Sequence, residues 1–116
     1  MPTSLQVLKS EFFRALAHPT RIRILERLAR GECRVQELQD ALELEQPIVS
    51  QHLAALRAKN VVTVRRNGSL AYYALRSPLI TELLRVSREF LNHHLAESHS
   101  MLRELRREDR RGAHRS

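Results

Sequence analysis

The sequence predicts a mainly α-helical domain with a single two-stranded β-hairpin, and three observations carry that prediction. Apolar residues recur at three- and four-residue steps through five separate stretches. Between Val61 and Leu75 the pattern changes to β-branched and aromatic residues interrupted by Asn67-Gly68, a strong two-residue hairpin signal. His18-Pro19, Gly31, Pro47 and Ser77-Pro78 punctuate the chain where one periodic stretch gives way to the next. The chain has 116 residues, so it makes one domain with room for one modest core. Only 4% of its residues are aromatic and none is Trp, so that core is aliphatic.

The first helix is expected over Leu5 to Ala17, where Leu5, Leu8, Phe12, Ala15 and Leu16 form a stripe. His18-Pro19 ends it, because the residue before a proline is pushed out of the helical region. Pro19 opens a second helix, Thr20 to Arg30, with Ile22, Leu25, Leu28 and Ala29 on one face and Gly31 as its stop. Next comes a pair of short helices within Val35 to Leu56. Val35, Leu38 and Leu42 mark the first, Ile48, Val49, Leu53 and Leu56 the second, and the polar turn Glu43 to Gln46 separates them. Pro47 is tolerated in the opening turn of the second, whose N–H groups have no helical partner in any case. Helices this short are not stable alone and must pack on a larger body.

Val61 to Arg66 and Leu70 to Leu75 form the hairpin, with Asn67-Gly68 expected in a type I′ turn. Two strands are marginal by themselves and must dock on the helices. The tip, Arg65-Arg66-Asn67-Gly68-Ser69, is basic. A last long helix starts at Ser77-Pro78, serine as cap and proline in the first turn, and runs to about Arg107. Ile80, Leu84, Leu91, Leu95, Leu102 and Leu105 share one face, flanked by Leu83, Phe90 and Met101. One small domain cannot cover so long a stripe, so part of it is expected to bury against a second copy in a two-fold dimer. Residues 106–116 contain no core residue and are expected to form a disordered basic tail, leaving 1–105 as the folded domain.

Net charge is +7 and the pI about 10.9, a balance that favours a polyanionic partner. Cys33 is the only cysteine, so no disulfide can form within the chain, which fits a reducing cytoplasm. No apolar run approaches the length of a membrane span, and Met1 to Phe13 lacks the basic-then-apolar order of a secretory signal. Ser50 and His52 are two positions apart on one helix and diverge. No third group completes a catalytic triad, and no glycine-rich phosphate loop is present, so an enzyme is not expected.

The second helix of the short pair carries Gln46, Ser50, Gln51 and His52 off its apolar stripe. Amides and hydroxyls so placed suit a helix lying in the DNA major groove. Helix, helix, helix-turn-helix, basic hairpin and long helix together make a winged helix-turn-helix whose N- and C-terminal helices dimerise. The sequence now resembles the ArsR/SmtB family of bacterial transcriptional repressors over roughly Phe12 to Leu95. The likeness rests on Phe12 to Leu25 (FFRALAHPTRIRIL, against the family's LADPTRLRIL), on Val35-Gln36-Glu37-Leu38, on Gln46 to Leu53, and on Leu56-Arg57 leading to the hairpin.

The resemblance implies a homodimer that sets two reading helices into successive major grooves of an imperfect palindromic double-stranded DNA operator. It makes Gln46 to Ala58 the reading helix and gives Gln46, Pro47, Ser50, Gln51 and His52 as candidates to meet DNA. Arg65, Arg66 and Ser69 would act at the wing, and Arg57 and Lys59 on phosphates. His52 has an alternative as a structural histidine packed under the wing. RNA binding or protein interaction remains the alternative use of the fold.

Many members of the family hold soft metals through a C-x-C pair, but here that place reads Cys33-Arg34, and Cys33 is expected to be a small buried residue. Other members bind zinc, cobalt or nickel on the last helix through D-x-H…H-x-x-E. His94-Leu95-Ala96-Glu97 matches the second half, whereas Thr81 and Leu83 stand where the first half would be. No cofactor is required for repression. His93, His94, Glu97 and His99 remain a candidate nickel or zinc cluster, with His93 and Glu97 one helical turn apart. A regulator without a metal inducer, sensing another signal or acting as a co-activator, is the alternative.

Overall fold

A computed structural model describes residues 4–114, the last three by their backbone only. The elements run α1 (Leu5–Leu16), α2 (Pro19–Leu28), α3 (Val35–Leu42), α4 (Gln46–Ala58), β1 (Val62–Asn67), β2 (Leu70–Leu75) and α5 (Pro78–His114). The chain divides into two units, Met1–Glu82 and Leu83–Ser116.

In the first unit each helix end follows from local chemistry. The Ser4 hydroxyl accepts from the Val7 N–H and caps α1. His18 takes the same role for α2: its Nδ1 accepts from the Thr20 N–H at 3.1 Å, and Pro19 sits in the first turn. At the head of α3 the Glu37 carboxylate accepts from both the backbone N–H and the Nε of Arg34, at 3.2 and 3.1 Å. Those hydrogen bonds, the backbone one foremost, hold the Glu37 carboxyl below its usual pKa. Helix α3 then closes on Glu43, whose φ of 56° is left-handed, a conformation usually given to glycine. Arg23 of α2 donates to the Leu42 carbonyl at 2.9 Å. It thereby satisfies one of the carbonyls left open at the end of α3.

The core joins these elements. Ile24 and Leu25 of α2, Leu38 of α3, Val49, Leu53 and Leu56 of α4, and Val61 and Val62 at the start of the hairpin are each less than 2% exposed. All are aliphatic, as the composition requires. Cys33 is buried with them. Its backbone exchanges two hydrogen bonds with Tyr73, 2.9 and 2.7 Å, so the loop before α3 pairs with β2 in an isolated bridge. Burial pushes the Cys33 thiol up, the nearby Arg27 opposing and Glu37 adding to it. A thiol in that setting is held protonated and inert.

The hairpin differs from the expected one by a residue. Val62 pairs with Leu75 and Asn67 with Leu70, so Asn67 ends β1 and Gly68-Ser69 forms the two-residue loop. Gly68 has φ +63°, while neither Asn67 nor Ser69 has a positive φ. That is the pattern of a type II′ turn, with glycine first, and not of the type I′ turn that Asn67-Gly68 suggests. A Cβ placed on Gly68 would meet nothing within 4 Å, so Gly68→Ala costs only the backbone preference, about 1–2 kcal/mol. Equilibrium urea unfolding reads this directly, and an unchanged midpoint would show that the loop adopts another conformation in solution.

Helix α5 continues well past the end expected for it. It runs 37 residues to His114, about 55 Å at 1.5 Å per residue. It thus passes through most of the segment expected to be a disordered tail, while residues 115–116 lie outside the described ones. Arg and Glu are good helix formers, and extending an existing helix requires no new nucleus. Beyond Ser100 all described side chains are exposed. Ile80, in its first turn, is buried in the first unit.

Candidate nucleic-acid interface

Helix α4 has two faces. Val49, Leu53 and Leu56 enter the core, while Gln46, Pro47, Gln51 and Arg57 are exposed and Ser50 is half-buried. Pro47 lies in the first turn, where its missing N–H is harmless, and Glu45 precedes it in extended conformation. The Gln46 amide donates to the Ser50 hydroxyl at 2.8 Å, one turn on. That bond holds both side chains on the same side of the helix, where an amide and a hydroxyl can present donors and acceptors to base edges.

His52 stands apart from this group. It is half-buried, and its Nδ1 accepts a hydrogen bond from Arg21 Nε at 3.2 Å. Arg21 in turn donates to the Ala15 carbonyl at 3.1 Å. The rings of His52 and His18 lie 4.4 Å apart at 47°. The histidine therefore packs on the head of α2, not under the wing. Burial first, then the charges of His18 and Arg21, push its pKa down.

On the hairpin the two arginines have different surroundings. Arg65 forms a 2.6 Å ion pair with Glu32 of the α2–α3 loop and lies over the ring of Tyr72, its cross-strand partner, at 4.6 Å. To grip a phosphate it must exchange Glu32. Arg66, next along β1, has no hydrogen bond or ion pair among the described residues, and with Ser69 it is exposed at the tip. Lys59, at the far end of α4, reaches Glu11 of α1 at 3.8 Å.

The second unit carries the other candidate group. His93, His94, Glu97 and His99 are all exposed on α5. His93, His94 and Glu97 line a groove with Val86, Glu89 and Phe90, and the His94 and Phe90 rings are stacked with centroids 6.4 Å apart. His99 does not line it. Among the described residues no three His, Cys, Asp or Glu side chains come together in a way that would hold a metal ion.

Comparison with known proteins now decides the family. The family described as "Bacterial regulatory protein, arsR family" matches residues 18–64, the span from the α2 cap to the first half of β1. The regulator Rv0081 of Mycobacterium tuberculosis is 44% identical over 100 residues, 85% of this chain and 88% of its own length. The chain belongs to the arsR family. The crystal structure of Rv0081 superposes with a TM-score of 0.75 over 83% of this chain and 97% of that one. The transcriptional repressor SmtB of the same organism is 49% identical over 65 residues, 56% of this chain and 48% of its own. A solution structure from Mycobacterium bovis, described as a homodimeric winged helix-turn-helix DNA-binding domain, matches at 28% identity and a TM-score of 0.74. It covers 80% of this chain and 86% of that one.

This ArsR-family chain is accordingly a winged helix-turn-helix transcriptional regulator and not an enzyme. No helix among its described residues is long and apolar enough to cross a membrane. Three residues that shape the interface escape reading from the sequence: Arg21, Glu32 and Arg23. Each acts on a partner far along the chain, 31 residues away for Arg21 with His52, 33 for Glu32 with Arg65 and 19 for Arg23 with Leu42. Periodicity and capping are signals of near neighbours and do not reach that far.

Proposed function

We propose that this protein is a cytoplasmic homodimeric repressor of the ArsR/SmtB type, which binds an imperfect palindromic operator in double-stranded DNA and blocks transcription. The observation that carries the proposal is the exposed Gln46, Pro47, Gln51 edge of α4, opposite a face sealed into the core. Gln46, Ser50 and Gln51 read base edges. Arg57, Arg66 and Ser69 meet the phosphate backbone, as does Arg65 once released from Glu32. The net charge of +7 supplies long-range attraction.

The test is to select duplexes from a random-sequence pool with the purified protein and to measure binding of the enriched site by fluorescence anisotropy across salt concentrations. Enrichment of a two-fold symmetric site, with affinity falling steeply in salt, is expected. Equal binding to every duplex would overturn the proposal. On the enriched site Gln51→Ala costs about 1–3 kcal/mol and relaxes the preference at one base position in each half. Arg66→Ala weakens specific and non-specific duplexes alike and lowers the salt slope by about 1 per arginine lost.

Nickel or zinc is the inducer that the α5 groove favours, because His93, His94 and Glu97 line it together. Among the described residues of one chain no three ligands come together, so the coordination is completed by a second copy of α5, with His99 available to it. Such a metal must bind the free dimer more tightly than the DNA-bound one, and the coupling is reciprocal. Release of the enriched duplex by nickel or zinc, abolished in His94→Ala, supports this. An unchanged response in that variant assigns the signal elsewhere, and no response to either metal leaves a regulator without a metal inducer.

A further inference from the structure

The junction between α1, α2 and α4 holds two imidazoles and a guanidinium in contact, and none of the three serves the core or the exposed reading edge. Arg21 is anchored at one end on the Ala15 carbonyl and turns its Nε–H onto His52 Nδ1. A guanidinium only donates. The bond therefore exists only while His52 Nδ1 carries no proton, with the imidazole hydrogen on Nε2. His18 is under the same requirement, since its Nδ1 accepts the Thr20 N–H that caps α2. The two rings touch at 4.4 Å.

We propose that His52 is a positioning residue, whose neutral ring, held by Arg21 and flanked by His18, seats the reading helix on the head of α2 and lets go of it in acid. The proposal rests on α4 being the DNA-reading helix. His52 directly follows Ser50 and Gln51, so a change in its seat is passed to both.

Protonating His52 removes the acceptor and sets an imidazolium against a guanidinium. Burial first, then the electrostatic effects of His18 and the Arg21 guanidinium, oppose the charged form of His52 and lower its pKa. On α1, Arg14 and Glu11 line a groove with Ala55 and Ala58 of α4, and Glu11 is engaged by Lys59. The charged residues of α3 are Glu37, bonded to Arg34, and Asp40, bonded to Gln36. On β1 Arg65 is bonded to Glu32. The sign of the effect is diagnostic. Simple addition of positive charge near DNA strengthens binding as pH falls, whereas release of the helix weakens specific binding.

The experiment measures affinity for the duplex enriched by the wild-type protein, and for a scrambled duplex, from pH 8 to 5.5 at constant ionic strength. For the wild type, specific affinity is expected to fall about tenfold toward the acid end of this range, the scale of one lost hydrogen bond, while scrambled-duplex affinity holds or rises. His52→Asn places an amide oxygen near the position of Nδ1 and does not titrate. It is expected to stay within about threefold of wild type at pH 7.5 and to show a flat specific profile. Arg21→Ala is expected to lose at pH 7.5 about what acid removes from the wild type, and the double variant no more than the single ones. Long-range 15N–1H spectra of the free protein report the Nε2–H tautomer of His52 without reference to DNA.

An acid loss retained in His52→Asn overturns the proposal, as does a flat wild-type profile. So does a folded His52→Asn protein that has lost specific binding at pH 7.5, since His52 then reads DNA itself. If no duplex is enriched at all, the reading of α4 fails together with this proposal, while the tautomer still reports whether the Arg21 contact forms.

Discussion

Leu95→Asp is expected to leave the protein monomeric and to lower operator affinity by at least about a hundredfold, the gain that linked half-site binding supplies. Leu91, Leu95, Leu102 and Leu105 of α5 are 53%, 55%, 49% and 55% exposed in the single chain. A helix in water does not keep such a stripe uncovered unless a partner covers it. In a two-fold pairing the same stripe meets itself, so one substitution enters the seam twice. A carboxylate buried there without a cation costs several kcal/mol per copy. In the proposed dimer, the two reading helices would then act as two independent half-site binders. Analytical ultracentrifugation at micromolar concentration gives the first readout and operator anisotropy the second. A variant that remains dimeric with unchanged affinity would place the dimer contact elsewhere. The exposed Leu5, Leu8 and Phe13 of α1, at 59%, 52% and 55%, are the next surface to test.

Leu53→Ala is expected to destabilise the fold by about 2–5 kcal/mol, the range for emptying a leucine site in a packed core. Leu53 is 1% exposed, on the inner face of α4, the helix that packs on α1, α2, α3 and β1. Total stabilities of small domains are only about 5–15 kcal/mol, so this variant approaches the threshold of folding. Leu53→Met, which keeps the volume, should cost less than about 1.5 kcal/mol. Urea unfolding of the pair separates the two outcomes, and a loss under about 1 kcal/mol for the alanine variant would show that the α4 site collapses freely. The same melts carry a pH signature. The His52 pKa is lowered in the fold, so the unfolded chain takes up its proton first, near its ordinary value of 6.5. Stability from the neutral ring is thus complete above that pH and is lost as pH falls through 6.5 toward the folded value. Wild type should lose it, and His52→Asn should not.

Where local chemistry determines an element, sequence and structure agree closely. Pro19, Pro47 and Pro78 each stand in the first turn of a helix, and Leu38 and Leu42 of α3 and Val49, Leu53 and Leu56 of α4 are buried as their spacing predicts, whereas Ile48 of the same expected stripe is 39% exposed and Val35 half-buried. The hairpin turn moved by a residue because its register is held from outside the turn. Val62 is buried in the core and Tyr73 is tied to Cys33, and these fix how the strands face one another. The sequence contains no clue that Glu43, rather than a glycine, takes the left-handed conformation that closes α3. Arg65 looks like a free cation in the sequence and is a partner of Glu32 in the fold.

By itself the sequence determined the order of helices and hairpin, the aliphatic core, the ArsR-family membership and the edge of α4 that faces outward. All of these depend on residues within a turn or two of each other, where periodicity, caps and breakers act. The tertiary structure alone decided that His52 faces Arg21, that Arg65 is held by Glu32 and that the loop glycine opens a type II′ turn. Those outcomes depend on contacts between residues distant along the chain, whose energies arise only when the helices close around Leu53 and Val49 and bring the partners within reach.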